Sequence, residues 1–196
     1  MLSLFFLIVF WLFFNRVASI FFGLVIIFIL YFSRDPERVA DNSNDKAVLS
    51  PADGKIIQIA EVEDVISKNK QIKVSIFLSL FDVHVIRAPI EGNIEYLMHN
   101  KGSALNSKAS MEKDNIILNI RNEKILLVLR IIAGTVAKKV ICYKNLADTV
   151  SKGERVGRIL LGSRTEIFVP RDKIDCIRVK EGEKVRAAQT ILLCLS

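Results

Sequence analysis

The chain has 196 residues and a formal net charge of +7, from 28 Lys and Arg against 21 Asp and Glu. Its three cysteines and two histidines are widely spaced, with no CxxC pair, which excludes a zinc site of usual spacing and a disulfide framework. No Arg-rich, aromatic-interleaved stretch of the kind used by single-strand nucleic-acid binders is present.

In chain order, residues 1–32 are nearly all apolar, interrupted by Asn15 and Arg16. Each half is shorter than the roughly 20 residues of a spanning helix, so one tilted helix carrying Arg16 or a re-entrant helical hairpin both fit. No basic n-region precedes the apolar run, which argues against a cleaved signal peptide. Arg34, Arg38 and Lys46 follow it, and the positive-inside rule then puts the remainder in the cytoplasm. The three thiols, Cys142, Cys176 and Cys194, are expected free and mostly buried in that reducing compartment. Beside an apolar anchor, a basic domain is expected to meet an anionic lipid surface rather than nucleic acid.

Residues 33–46 are polar, contain a proline and read as a linker. From 47 to 196 the pattern is one of short β runs: "KIIQIAEV", "QIKVSIFL", "NIEYLMH", "NIILNI", "KILLVLRII", "KKVICY", "RILL", "TEIFVP", "DCIRV" and "TILLCL". They predict a mainly β domain, a barrel-like β sandwich, behind an N-terminal helical membrane anchor. Two segments, "KGERVGRILL" and "EGEKVRAAQTILL", share a Gly-Glu-basic-Val turn, and the second resembles the hammerhead-type turn of biotinyl and lipoyl domains. The one long polar loop, 100–115, is of a length that marks a binding loop or a mobile one.

Single motifs are ambiguous. Gly162-Ser163 between two strand-like runs signals a two-residue hairpin, with Gly at the first position of a type II′ turn. Asp53 in "SPADGKI" fits a turn in which Asp bonds its own backbone. His84 in "FDVHVIRAP" lies in an apolar run, where an isolated imidazole is more often structural. In a strand Arg87 would face away from it unless the chain bends before Pro89.

In order, "RDPERV", "LSPADGKI", "FLSLFDVHVIRAPIEG", "GSALNSKASMEKDN", "RIIAGTVAKKVICY" and "GERVGRILLGSRTEIFVP" resemble the short form of the phosphatidylserine decarboxylase proenzymes, from about residue 34 to 170. That resemblance implies self-cleavage between Gly162 and Ser163 into a β chain, 1–162, and an α chain, 163–196. Ser163 would become a covalent pyruvoyl (pyruvate) cofactor that forms a Schiff base with the serine headgroup. Phosphatidylserine would be converted to phosphatidylethanolamine and CO₂ in phospholipid biosynthesis, with no metal.

By the same resemblance His84 is a general acid/base or contacts the substrate carboxylate, and Asp53 serves maturation. Long-form members carry His where this chain has Arg87, and Arg cannot be a general base at neutral pH. Either His84 then serves both steps, or Asp53 acts directly or through water, with Arg87 stabilising developing negative charge. Arg87, Arg164 and Lys108 are candidates for substrate binding, and Lys101, Lys108 and Lys113 make the long loop a candidate headgroup lid. The implied partners are phosphatidylserine, an anionic membrane surface, the two self-cleaved chains as a heterodimer and, by family analogy, a second copy. The alternative of another class is a non-catalytic, membrane-anchored hammerhead adaptor, in which Gly162-Ser163 is only a hairpin.

Overall fold

Ile, Val and Leu alternate with polar residues along most strand-like runs, which turns one face of each strand inward and leaves the other wet. The computed structural model describes residues 2–40, 44–64, 68–101, 114–134, 139–159 and 163–196. It divides into two units, Met1–Arg34 and Asp35–Ser196.

The first unit is one helix, α1 (Leu2–Phe32), of 31 residues. Asn15 and Arg16 do not break it, so the re-entrant alternative is not the form seen. Ser19 Oγ donates to the Asn15 carbonyl within the helix (2.8 Å). At 1.5 Å per residue α1 is about 46 Å long, against a hydrocarbon core of about 30 Å. Its Phe14–Phe32 stretch alone is long and apolar enough to cross a membrane.

The second unit holds β1 (Ala47–Leu49), β2 (Gly54–Glu63), β3 (Lys70–Leu78), β4 (Val85–Arg87), β5 (Gly92–Asn100), β6 (Asn115–Arg121) and β7 (Leu126–Ile132). They are followed by β8 (Val140–Cys142), β9 (Thr149–Val150), β10 (Arg155–Ile159), β11 (Ser163–Pro170), β12 (Ile174–Ile177), β13 (Lys184–Val185) and β14 (Ile191–Leu195). Eight of them form one antiparallel sheet in the order β13-β2-β3-β11-β7-β6-β5-β9, curled into a half-barrel. Two smaller sheets, β4-β10-β8 and β1-β14-β12, complete the domain. Val74, Ile76 and Leu78 of β3, Leu127, Leu129 and Ile131 of β7 and Ile167 of β11 meet Ile86, Val156 and Leu193 of the smaller sheets in one buried core.

Two expectations are corrected. The runs before and after Gly162-Ser163 are not a hairpin: β10 pairs with β4 and β8, while β11 pairs with β3 and β7. β10 and β11 therefore belong to different sheets. Of the thiols only Cys194 is buried; Cys142 and Cys176 are half-buried, and all three are free.

The repeated turn is a true structural echo. The Ser151 N–H donates to the Glu154 carboxylate (2.8 Å), and the Lys180 N–H donates to that of Glu183 (3.0 Å). Gly153 (φ 80°) and Gly182 (φ 87°) turn the two corners. Their surroundings differ. A Cβ on Gly153 would lie 2.7 Å from the Ala40 Cβ and 3.1 Å from that of Ala188, whereas one on Gly182 would meet only the end of Lys55 at 3.8 Å. Gly182→Ala is expected to cost about 1–2 kcal/mol of left-handed strain. Gly153→Ala adds a clash and is expected to cost about 3 kcal/mol or more, read as the larger fall in thermal unfolding temperature.

Candidate active site

The centre of the large sheet is β11, which pairs along its whole length with β3 and brings Ser163 opposite Leu78. Ser163, Thr165, Ile167 and Val169 face the core, and all four are buried. Among the described residues the Ser163 Oγ is buried without a hydrogen-bond partner. A buried hydroxyl left in that state carries a free-energy cost and calls for an explanation, of which a catalytic role is one; the Thr165 Oγ1 on the same face is in the same state. At the same sheet end Lys55 of β2 pairs with Phe77, so Gly54 falls next to Leu78. Two strand spacings, roughly 10 Å, then separate Gly54 from Ser163, and Asp53 is the residue before it.

The second wall is the turn after β3. The Asp82 carboxylate accepts the Ser79 N–H and Oγ–H (both 2.7 Å), and the Asp82 N–H closes on the Ser79 carbonyl (3.1 Å). The Asp82 carbonyl takes a hydrogen bond from His84 Nδ1 (2.8 Å). A carbonyl only accepts, so Nδ1 carries the proton in the neutral ring and Nε2 is the basic nitrogen. His84 is fully buried. Its carbonyl accepts the Ile159 N–H (3.0 Å), opposite the end of β10 and three residues before Gly162. Gly162 itself lies outside the described residues.

Asp53 and Arg87 are engaged elsewhere. The segment marked as a linker is laid against the domain from Asp35 onward. Arg38 forms a forked ion pair with Asp53, with Nη2 at 2.7 Å from Oδ2, and its Nη1 donates also to the Ala187 carbonyl (2.9 Å). The Ala187 N–H donates to Asp53 Oδ1 (2.8 Å). The bond to Asp53 holds the Arg38 guanidinium above its ordinary value. Arg87 is buried and donates to the carbonyls of Gly153 (3.0 Å) and Pro36 (2.9 Å), with Asp35 at 3.4 Å. Burial draws its guanidinium below the ordinary value, and the charge of Arg155 adds to this. Arg155, its cross-strand neighbour, is paired with Asp35 (2.7 Å) and Glu37 (2.6 Å).

Arg164 lies on the opposite face of β11 from Ser163, 3.0 Å from the buried carboxylate of Glu166. Lys108 and Lys113, like the rest of 102–113, lie outside the described residues; Lys101 is exposed. One pair escaped the sequence reading: His99 Nε2 is 2.7 Å from Asp114 Oδ1, at the base of the long loop. Asp114 also accepts the Ala133 N–H through its carbonyl (2.8 Å), just past the end of β7, which pairs with β11. The signal was available, since the two residues flank the loop on either side.

Comparison with known proteins bears on this arrangement directly. The family model described as phosphatidylserine decarboxylase matches residues 25–193. The chain belongs to the phosphatidylserine decarboxylase family. A phosphatidylserine decarboxylase proenzyme of Desulfotalea psychrophila is 37% identical over 184 residues, covering 90% of this chain and 84% of the relative. Those of Syntrophotalea carbinolica (37% over 179 residues, 88% and 81%) and Carboxydothermus hydrogenoformans (35% over 173 residues, 86% and 80%) are similar. No solved structure matches. Membership of the decarboxylase family makes the chain a carboxy-lyase and sets aside the non-catalytic adaptor. Within this family member, Asp53 and Arg87 are both part of the ion-pair network that binds residues 35–38 to the domain.

Arg38→Ala would leave a nearly buried Asp53 carboxylate with one N–H donor. A loss of about 2 kcal/mol is expected, with partial recovery in Arg38→Lys, which keeps charge but not the fork. Thermal unfolding of the full chain checks the order wild type, Lys, Ala.

Proposed function

We propose that the protein is a self-processing phosphatidylserine decarboxylase whose cofactor is a pyruvoyl group made from Ser163. The observation that carries this is the buried Ser163 hydroxyl, without a partner among the described residues, at the first residue of a central strand and directly after Gly162 in sequence. It fits a nucleophile held out of water and a prosthetic group of the same few atoms.

In the proposed cleavage Ser163 Oγ loses its proton and attacks the Gly162 carbonyl carbon, and the peptide bond becomes an ester as the acyl group moves from nitrogen to oxygen. Removal of the Ser163 Cα proton then expels the Gly162 carboxylate and leaves dehydroalanine. Tautomerisation and uptake of one water release ammonia and leave the pyruvoyl group at the head of β11. Once formed, that group supplies the electron sink that loss of CO₂ from the serine headgroup requires.

We assign the proton transfers to His84. Its Nδ1 is committed to the Asp82 carbonyl, which leaves Nε2 as the accepting nitrogen. Arg87 is a permanent cation whose donors are directed at Gly153, Pro36 and Asp35. Both Asp53 oxygens already accept from Arg38, and one also accepts from Ala187, so its role in maturation is to hold the chain around Gly54. This supports the option in which His84 serves both steps.

The apolar α1 supports a membrane anchor for an enzyme whose substrate acyl chains stay in a bilayer. Arg34, Arg38 and Lys46 follow α1 in the sequence and favour a cytoplasmic catalytic domain in phospholipid biosynthesis. Heterodimer formation follows from the cleavage, and a homodimer rests on family analogy.

Wild-type protein is expected to run as two chains on a denaturing gel, ending at Gly162 and beginning with a blocked residue 163 by mass. Ser163→Ala is expected to stay intact and inactive; a cleaved or active product refutes the assignment. His84→Ala is expected to slow self-cleavage and, in whatever fraction matures, to lower decarboxylation by about 10²-fold or more. Arg87→Ala is expected to lose stability before chemistry.

A further inference from the structure

The turn that orients His84 also projects two large apolar side chains into solvent. Leu80 (42% exposed) and Phe81 (65%) sit at its tip, between the buried Leu78 and Val83, and Phe77 (46%) continues the apolar surface onto the outer face of β3. The turn is latched at both ends by Asp82, so this tip is held rigid rather than free to fold back.

A row of cations crosses the sheet beside it. Lys184 pairs with Lys55, Lys55 with Phe77, and Phe77 with Arg164, on four neighbouring strands. Directly opposed residues share a face, so all four side chains lie on the outer surface. Lys55 and Lys184 are exposed like charges directly opposite each other, which is unfavourable in water. Neither has an ion-pair partner among the described residues; Arg164 is partly neutralised by Glu166.

We propose that Leu80, Phe81 and Phe77, with Lys55, Lys184 and Arg164 around them, form an interfacial docking patch that seats the catalytic domain on an anionic bilayer. Aromatic and aliphatic tips enter the headgroup–acyl boundary while neighbouring cations meet lipid phosphates. The patch fits the site beside it. Ser163 pairs with Leu78, two residues before the tip, so Ser163 lies within roughly 10 Å of Leu80. The headgroup layer of a bilayer is roughly 5–8 Å thick on each side. A tip seated at the acyl boundary therefore keeps Ser163 in or just above the headgroup layer. Through Asp82 the same turn sets the tautomer of His84, so docking surface and site are one rigid piece.

This proposal rests on the lipid-decarboxylase reading, and its test separates the two. Trp11 is the only tryptophan, so the full chain carrying Trp11→Phe and Phe81→Trp has a single probe at the tip. It is reconstituted in phosphatidylcholine vesicles with or without phosphatidylglycerol, an anionic lipid the enzyme has no serine amine to act on. The introduced tryptophan is expected to shift to the blue and to be quenched by brominated acyl chains, roughly twofold more with the anionic lipid present. Lys55→Ser with Lys184→Ser is expected to abolish that increment. Water-like, unquenched emission overturns the proposal, and so does a blue shift without quenching, which means burial against a second copy or another protein. None of these readouts needs turnover, so an inactive wild type would refute the decarboxylase reading alone. With activity in hand, Leu80→Ser plus Phe81→Ser is expected to self-cleave normally. It should lose roughly tenfold on vesicle phosphatidylserine while keeping its rate on a water-soluble short-chain phosphatidylserine. An equal fall on both substrates also overturns the docking role.

Discussion

The arrangement depends on β11 being a central strand. Its eight residues pair with β3 on one side, and Arg164–Phe168 pair with β7 on the other. A peptide cut just before a strand in that position leaves its new N-terminus where it was. The proposed α chain holds more than this one strand: β13 pairs with β2, and β14 pairs with β1. The two products would remain one domain because backbone pairing and a shared core join them. A cleavable bond at the head of an edge strand would lack that security, since an edge strand is held by a single ladder.

A second constraint is electrostatic. Arg87 and Arg155 are cross-strand neighbours, a repulsive arrangement. Asp35 and Glu37 of the segment after α1 offset it, and Arg38 of the same segment pairs with Asp53 beside Gly54. Residues 35–38 are therefore part of the catalytic domain rather than a free tether. This network also bears on the chemistry. It fixes the guanidinium at position 87 and both oxygens of Asp53 in ion pairs and hydrogen bonds, which supports the proposal that His84 carries the protons.

The strands were largely legible because runs rich in Ile, Val and Leu mark them; β2, β3, β5, β6 and β11 lie where such runs alternate with polar residues, and β7 and β14 where they are nearly continuous. The short β1, β9 and β13 were not, since two or three residues carry no readable period. Ser163, His84 and Asp53 stood out only through the order of six motifs. The role of Arg38 was hidden because its partner lies 15 residues away, and no local pattern encodes an ion pair at that distance. The Gly-Ser corner shows the limit most clearly. A turn residue pair between two β runs looks the same whether the runs pair with each other or enter different sheets.

By itself the amino-acid sequence determined an apolar helix, a mainly β domain, a basic charge balance and the family resemblance that points to the Gly162-Ser163 bond. These follow from local composition, side-chain periodicity and motif order, which a chain carries whatever its long-range contacts. Only the tertiary structure decided that β10 and β11 part into separate sheets, that Ser163 heads a central strand, and that Asp53 and Arg87 bind the segment after the helix. It also decided that Leu80 and Phe81 stand in solvent beside the site. Those outcomes depend on strand register and on charges brought together from distant positions, and both exist only once the sheets have formed.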